Sequence, residues 1–163
     1  MSSLSKIQNK IVDDRSTLGP LLLSWAQQNK KIVFTNGCFD LLHRGHIEYL
    51  ANAADCGDIL VLGLNSDKSV KKLKGNNRPI KDEYSRALIL AGLSFITNII
   101  IFDNDTPLDL IEFIQPNVLV KGGDYKAEDI VGYEIVKSSG GEVVIVDFVK
   151  GQSSTLLINK MEK

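Results

Sequence analysis

The chain has 163 residues, of which 44% are hydrophobic and 24% are charged, a composition that suits one globular domain with its own core. Nineteen basic and 20 acidic side chains give a net charge of -1, which excludes an overall basic field for nucleic acid or acidic membranes. No apolar run approaches the roughly 20 residues of a membrane span, and the N-terminus lacks the apolar core of a signal peptide. Because Cys38 and Cys56 make no disulfide framework, a cytoplasmic protein with reduced thiols is predicted.

The predicted elements begin with two short amphipathic helices, over residues 3–14 and 16–29, with Ser16 as a possible cap of the second. From Lys31 onward, apolar runs typical of strands alternate with segments of helical spacing. The predicted strands cover residues 31–37, 58–67, 97–105, 117–124 and 142–148. The predicted helices cover residues 45–57, 81–94, 106–115, 127–141 and 153–163. The basic segment 68–80 contains Gly, Asn and Pro and is predicted as a loop.

This alternation indicates the fold class. Five strands with continuous apolar runs are typical of a parallel sheet that helices cover on both faces. We therefore predict a doubly wound α/β domain with a five-stranded parallel sheet over residues 31–163, preceded by a helical extension over residues 1–30. In such sheets ligands bind beyond the carboxyl ends of the strands, so the informative residues are expected just after each strand.

Both histidines of the chain lie in one such position. His43 and His46 fall in the turn between the first predicted strand of the domain and its first helix, with Gly45 between them. A helix N-terminus offers free N–H groups and partial positive charge, and two imidazoles there add donors for phosphate oxygens. Donors that are in place before charge develops are what nucleotidyl or phosphoryl transfer requires.

Three other interpretations compete with a phosphate site. The histidines could be ordinary packed or surface residues. Cys38, His43 and His46 supply three soft metal ligands, but no fourth is apparent and the spacing matches no common zinc pattern. A dinucleotide site would need Gly-x-Gly-x-x-Gly after the first strand, which "GCFDLLHRG" lacks, and no Walker motif is present either.

The "HRGH" that follows "NGCFD" resembles the HxGH signature of the nucleotidyltransferase superfamily, and the later "GQSST" resembles its second, Ser/Thr-rich signature. Over residues 30–160, the segments "NGCFDLLHRGHIEYL", "LGLNSDKSVKKLKGNNRPI" and "IFDNDTPLDLIEFIQPNVLVKGGDY" together resemble the heptose 1-phosphate adenylyltransferases of ADP-heptose synthesis. The resemblance implies a Rossmann-like nucleotidyltransferase fold. It also implies the stand-alone form of the enzyme, because no sugar-kinase domain fits in 163 residues.

The activity that this resemblance implies is transfer of AMP from ATP to D-glycero-beta-D-manno-heptose 1-phosphate, with pyrophosphate as leaving group. Mg²⁺ is the implied cofactor, the partners are small-molecule substrates, and a homo-oligomer is expected. The implied catalytic residues are His43, His46 and Lys74. The implied nucleotide-binding residues are Thr35, Asn36, Gly37, Cys38, Phe39, Asp40, Gly45, Lys121, Gly122, Asp124, Ser153, Ser154 and Thr155. The implied substrate-binding residues are Lys72, Arg86 and Asp124, and the implied metal ligand is Asp40.

Some positions depart from related cytidylyltransferases. Those carry an arginine before the second signature, where this chain has only Lys150, and an aspartate where this chain has Asn98. The missing arginine favours the heptose branch over a glycerol-phosphate cytidylyltransferase. Two alternatives to the heptose reaction stay open. One is a cytidylyltransferase that acts on a polyol or amino-alcohol phosphate, and the other is a nucleotide-binding module without turnover.

Overall fold

The structure is a computed structural model that describes residues 1–12, 14–123, 125–147 and 158. Six parallel strands form one sheet in the order β1-β4-β3-β2-β5-β6. The strands are β1 (Ile11–Val12), β2 (Ile32–Gly37), β3 (Ile59–Asn65), β4 (Asn98–Phe102), β5 (Val118–Gly122) and β6 (Glu142–Val146). The helices are α1 (Ser3–Gln8), α2 (Arg15–Gln27), α3 (Arg44–Ala54), α4 (Asp67–Lys74), α5 (Glu83–Ala91), α6 (Leu108–Ile114) and α7 (Tyr133–Ser138), with a short 3-10 turn at Ala127–Asp129.

The sheet is covered on both faces, as the continuous apolar strands predict. Alternate side chains of each strand enter two separate cores. One core contains apolar residues of α3 and α5, with Leu50 and Leu90 fully buried. The other contains residues of α2, α6 and α7, with Leu18 and Ile111 fully buried. The doubly wound class is therefore confirmed.

The sheet has six strands rather than the five that were predicted. The extra strand is β1, which pairs with β4 through Ile11–Ile99 and Val12–Ile100. The predicted first helix ends early because Ile11 and Val12 are adjacent β-branched residues, which favour a strand over a helix. Residues 1–30 thus contribute an edge strand as well as helices. A boundary between extension and domain at residue 30 stays a prediction.

The basic segment 68–80 is a helix in its first half, so the prediction of a loop there was wrong. Ser66 caps α4 by accepting a hydrogen bond from the backbone N–H of Ser69, and Val70 is fully buried beneath the helix. The lysines themselves are good helix formers. The helix ends where Gly75 adopts a φ of 96°, a conformation that glycine tolerates.

The caps of two other helices also differ from the sequence prediction. Asp14, not Ser16, caps α2, and its carboxylate accepts a hydrogen bond from the backbone N–H of Thr17. In α6 the cap residue is Pro107, whereas the segment "TPLDLIEFIQ" predicts Thr106 as the cap and Pro107 at the first helical position. The predicted helix over 153–163 lies outside the described residues except for Ile158, which is helical. No helix in the described part of the chain combines the length and apolar character that a membrane crossing requires.

The strand order places a crevice at one end of the sheet. From β2 the chain winds outward through β3 to β4, then crosses back over α6 to β5 and β6 on the other side. The strands β2 and β5 are therefore neighbours whose following segments leave in opposite directions. Such a switch point opens a crevice at the carboxyl ends of the strands, and ligands bind there in α/β folds.

Candidate active site

The two histidines stack at the carboxyl end of β2. His43 is the residue before α3 and His46 lies in its first turn, which brings their ring centroids to 3.8 Å with an angle of 24° between the planes. The side chain of His43 makes no capping hydrogen bond. The first N–H groups of a helix have no partner in the regular helical pattern, and those of α3 lie at the same end of the helix as the imidazoles. Gly45 lies between the histidines as a buried residue of the helix.

An aromatic ring packs against His46, one of the two histidines. Phe39 packs edge-on against His46, with 5.3 Å between ring centroids, and its backbone adopts a φ of 43°. The ring lies over Gly37, where a Cβ atom would come within 2.8 Å of Phe39 Cε2. A side chain at Gly37 would therefore displace Phe39 and, through it, His46. Two of the predicted nucleotide-binding residues thus act on the position of the imidazole.

Both imidazoles are held in the neutral form. Burial, the neighbouring His43 and the charge of Lys74 lower the pKa of His46 to about 4. Burial also lowers the pKa of His43 below its usual value. Each ring keeps a buried Nδ1 without a hydrogen-bond partner among the described residues. The site therefore presents two close, neutral rings whose protonation an approaching anion would favour.

Asp40 anchors the turn that follows α4. Its carboxylate accepts hydrogen bonds from Arg78 Nε at 2.6 Å and from the backbone N–H groups of Ile80 and Lys81 at 2.8 and 3.1 Å. Burial, the largest single influence, raises the pKa of Asp40, but the hydrogen bonds together lower it below its usual value. They also bring the 78–81 segment to the end of β2.

This arrangement does not fit the predicted Mg²⁺ ligand at Asp40. Both carboxylate oxygens already accept hydrogen bonds from protein groups. Within the described ranges no group of three or more His, Cys, Asp or Glu side chains could hold a metal ion. Mg²⁺ commonly binds proteins through only one or two carboxylates plus substrate phosphates, so the ion would have to arrive with the nucleotide.

Arg86 lies beneath the site rather than in the crevice. It is 1% exposed, and its guanidinium donates to the carbonyl oxygens of Cys38 at 2.6 Å and Asn65 at 2.8 Å. Further donors reach the carbonyl of Lys81 and the carboxylate of Asp67. Arg86 thus ties the ends of β2 and β3 to α4 and α5, and contact with a substrate stays a prediction.

The predicted lysines lie on different sides of α4. The charge of Lys74 acts on both Cys38 and His46, so the end of this helix faces the histidine turn. Burial raises the pKa of the Cys38 thiol, and Lys74, Arg86 and Arg78 oppose that shift. Lys72 instead pairs with Asp105 after β4, at 3.0 Å, beside an open groove of about 700 Å³. Lys74, and not Lys72, is thus the lysine whose charge acts on His46, and a contact of either side chain with substrate stays a prediction.

The crevice between β2 and β5 contains a partly buried lysine. Lys121, at the end of β5, donates a hydrogen bond to the Asn36 side-chain oxygen at the end of β2. Burial lowers the pKa of Lys121 to about 8. Gly122 follows it as the last residue of β5. These predicted residues meet where the resemblance implies nucleotide contacts.

Thr35 faces the core and not the crevice. Its hydroxyl lies 2.6 Å from the Tyr49 hydroxyl, which in turn donates to the carbonyl oxygen of Val120 at 3.2 Å. The tyrosine therefore bridges β2 and β5 from α3, and burial raises its pKa to about 12. Tyr49 was not predicted from the sequence, although it lies one turn after His46 on the same helix.

Other predicted residues cannot be placed. Asp124 and the second signature, Ser153, Ser154 and Thr155, lie outside the described residues. Conversely, Arg78 was not predicted from the sequence, and its buried Nη2 has no hydrogen-bond partner in the described ranges. Nothing in the pattern "GNNRPI" distinguishes this arginine from one on a surface turn.

Phosphate-binding turns at the switch point of a parallel sheet are typical of nucleotide-binding α/β proteins, and the fold places this chain in that class. The chain belongs to the cytidylyltransferase-like family, whose model matches residues 34–158.

The chain is also similar to part of two longer proteins. The chain is 51% identical over 153 residues to "Bifunctional protein HldE" of Nitrobacter hamburgensis, covering 94% of this chain and 31% of that protein. It is 60% identical over 134 residues to the protein of the same name from Geobacter metallireducens, covering 82% of this chain and 27% of the relative. The chain thus spans less than a third of the length of these relatives.

Solved structures agree on the fold. A lipopolysaccharide core biosynthesis protein from Thermoplasma volcanium superposes with a TM-score of 0.59 at 28% identity, over 76% of this chain and 99% of that one. The pantoate-beta-alanine ligase of Francisella tularensis, solved with beta-gamma ATP and beta-alanine, superposes with a TM-score of 0.61 at 15% identity. It covers 93% of this chain and 77% of the ligase, and at this identity the likeness concerns the fold alone.

Proposed function

We propose that the protein transfers AMP from ATP to D-glycero-beta-D-manno-heptose 1-phosphate, releasing pyrophosphate and forming ADP-heptose. The observation that carries this proposal is the stacked histidine pair at the start of α3, where the buried Nδ1 of each ring has no hydrogen-bond partner among the described residues. The "HRGH" resemblance supports the same reaction. The similarity to the HldE proteins supports it further, and the name of the Thermoplasma protein supports a role in lipopolysaccharide core biosynthesis.

In this reaction a phosphate oxygen of the sugar phosphate attacks the α-phosphorus of ATP. A new P–O bond forms while the bond between the α-phosphorus and the bridging oxygen breaks, and the electron pair leaves with pyrophosphate. Catalysis then consists of positioning and of stabilising the charge on the phosphates. Mg²⁺ bound to the nucleotide would neutralise part of that charge.

Several residues of this chain would contact the phosphates from different sides of the crevice. His43, His46 and the N–H groups that open α3 would bind the phosphates of ATP, and Lys74 would approach them from the end of α4. Lys121 and Asn36 would lie on the other side of the crevice. The neutral imidazoles suit this role because the incoming polyphosphate would favour their protonation without a standing repulsion between the rings.

The test is a substrate matrix. The protein is incubated with Mg²⁺ and each of ATP, CTP, GTP and UTP, with heptose 1-phosphate, glycerol 3-phosphate or phosphocholine as acceptor, and pyrophosphate release is measured. We expect rapid release only with ATP and the heptose phosphate, and little release from ATP alone. A preference for CTP with a polyol or amino-alcohol phosphate would replace this proposal by the cytidylyltransferase alternative, which the family description keeps open.

Several wider expectations accompany the proposal. The homo-oligomer that the resemblance implies and the cytoplasmic location that the two cysteines predict both stay predictions. Contacts of Asp124, Ser153, Ser154 and Thr155 with nucleotide or sugar phosphate are part of the same proposal.

A further inference from the structure

Three buried side-chain nitrogens lack a hydrogen-bond partner within the part of the chain that the structure describes. They are Nδ1 of His43, Nδ1 of His46 and Nη2 of Arg78. Buried polar atoms without partners are rare in folded proteins because each has lost its hydrogen bonds to water without replacement. Two of the three belong to the histidine pair, so the third raises the question of what Arg78 binds.

The guanidinium of Arg78 is fixed from one side. Its Nε donates to Asp40 Oδ2 at 2.6 Å, and the two side chains are only 12% and 1% exposed. The same carboxylate also accepts the backbone N–H groups of Ile80 and Lys81, which hold the arginine's own turn. A planar guanidinium held at Nε keeps its outer N–H groups in a defined direction. The position of Nη2 is therefore set before any ligand arrives.

Arg78 lies near the carboxyl end of β2, as the histidines do. Asp40, its partner, is three residues before His43 in the connection from β2 to α3. The charges of Arg78 and Lys74 both act on Cys38, and that of Lys74 also acts on His46. Arg78 thus belongs to the group of cations around the end of β2.

We propose that Arg78 is a further phosphate-binding residue of this site, with Nη2 donating to a phosphate oxygen of a reactant and Asp40 acting as its positioning residue. The ligand class is a phosphate oxygen because a planar guanidinium whose Nη2 has no partner among the described residues matches phosphate geometry. Asp40 offsets part of the charge of Arg78. Arg78 therefore contributes a hydrogen-bond donor in a fixed orientation, whereas Lys74 contributes net positive charge. As a statement about the reaction, this inference rests on the proposed function.

The experiment uses Arg78→Lys, which keeps a cation for Asp40 but loses the planar outer donors. Arg15→Lys is the matched control, because Arg15 lies on α2 with its Cζ 5.5 Å from the centre of the Phe113 ring, away from the site. Binding of ATP, inorganic pyrophosphate and the sugar phosphate is measured by calorimetry well below the melting temperature. kcat and KM for both substrates follow from pyrophosphate release.

We expect Arg78→Lys to bind at least one phosphate ligand roughly 10- to 100-fold more weakly, the range for a lost hydrogen bond to a charged group, while Arg15→Lys binds as wild type. Weaker binding of ATP and pyrophosphate would assign the contact to the nucleotide. A raised KM for the sugar phosphate alone would assign it to the acceptor. Asp40→Asn should weaken the same ligand by a smaller factor.

A purely structural role would give another pattern. Arg78→Lys would then melt at a lower temperature but, while folded, bind all three ligands with wild-type affinity, and that result would overturn the inference. Should Arg78→Lys fail to fold, Arg78→Gln, which retains an N–H donor for Asp40, is measured in the same way. If the wild-type protein transfers no AMP but Arg78→Lys still loses ATP binding, the proposed function fails and the phosphate contact stands.

Discussion

The histidine pair combines close stacking with burial, and this combination explains its chemistry. Two protonated imidazoles at a centroid distance of 3.8 Å would repel each other, and burial disfavours the charged form of each. The ligand-free protein therefore holds both rings neutral near pH 7. A bound polyphosphate would reverse this preference by supplying the counter-charge.

Removing either imidazole should slow the reaction strongly. We expect His43→Asn and His46→Asn each to lower kcat about 100-fold, the typical loss of one preorganised donor to developing charge. Arg44→Ala is the matched control, because this side chain lies between the histidines in sequence but is 74% exposed and pairs with Glu48. Rates come from pyrophosphate release at saturating substrates. A histidine variant within threefold of wild type would remove that residue from the mechanism.

The depressed pKa of His46 also predicts a pH dependence of stability. The unfolded chain takes up a proton near pH 6.5, whereas the folded state does so only near pH 4. Between these values the unfolded state binds more protons, so the free energy of unfolding falls as pH decreases from 6.5 to 4. We expect this fall to be larger in wild type than in His46→Asn, measured by urea unfolding at several pH values. Parallel curves would show that His46 is not held neutral by the fold.

At the scale of elements, Tyr49 connects α3 to the switch point. The strands β2 and β5 pair at Val33–Val118 and Phe34–Leu119. One residue further on, the tyrosine hydroxyl lies between the Thr35 hydroxyl and the Val120 carbonyl. The phenol thus fixes α3, and with it the histidine turn, against the two strands that border the crevice.

Tyr49→Phe should therefore affect both stability and rate. It removes a buried hydroxyl and its hydrogen bonds to Thr35 and Val120, which costs on the order of 1–3 kcal/mol. It also loosens the helix that carries His46, so kcat should fall while the KM for ATP changes less. Tyr84→Phe is the control, since Tyr84 is 51% exposed and its hydroxyl accepts a hydrogen bond from Gln8. If the two variants unfold at the same urea concentration, Tyr49 does not join the strands as described.

The end of α4 offers a second test at this scale. We expect Lys74→Ala to weaken ATP binding and to lower kcat at least about tenfold, because its charge lies near His46 and Cys38. Lys68→Ala, which removes an exposed lysine from the first turn of the same helix, should leave both nearly unchanged. Lys72→Ala decides whether the lysine paired with Asp105 also contacts substrate. Equal effects of Lys74→Ala and Lys68→Ala on ATP binding would contradict the assignment.

The sequence predicted the elements whose signals are local and strong. Continuous apolar strands with helices between them indicated the doubly wound sheet, and the histidine turn indicated the site. The edge strand β1 was missed because two residues carry too short a pattern, and pairing with β4 decides their conformation. The helix α4 was missed because its residues are mostly polar, and the sequence alone does not show that Val70 is buried.

The rest of the site depends on contacts that are distant in sequence. Arg78 reaches Asp40 across 38 positions, and Tyr49 reaches Val120 across 71. No spacing rule in one sequence can report such pairs. The burial of Arg86, which the resemblance assigned to substrate, likewise appears only when the ends of β2 and β3 are brought together.

At the scale of the whole molecule, five segments contribute groups at the carboxyl ends of the strands. The connection after β2, the start of α3, the end of α4, the turn before α5 and the end of β5 all contribute. The second signature is expected to add a sixth. Ser154→Ala should weaken binding of ATP more than binding of the sugar phosphate in calorimetry. Equal weakening of both ligands, or none, would remove Ser154 from the nucleotide site.

The central claim is adenylyl transfer, and the fate of labelled phosphorus tests it most directly. The protein is incubated with heptose 1-phosphate, Mg²⁺ and ATP labelled either at the α- or at the γ-phosphorus, and the products are separated. We predict that the α-label appears in a nucleotide sugar and the γ-label in pyrophosphate, and that His46→Asn slows the appearance of both about 100-fold. Transfer of the γ-label to the sugar phosphate, or of neither label, would contradict the account.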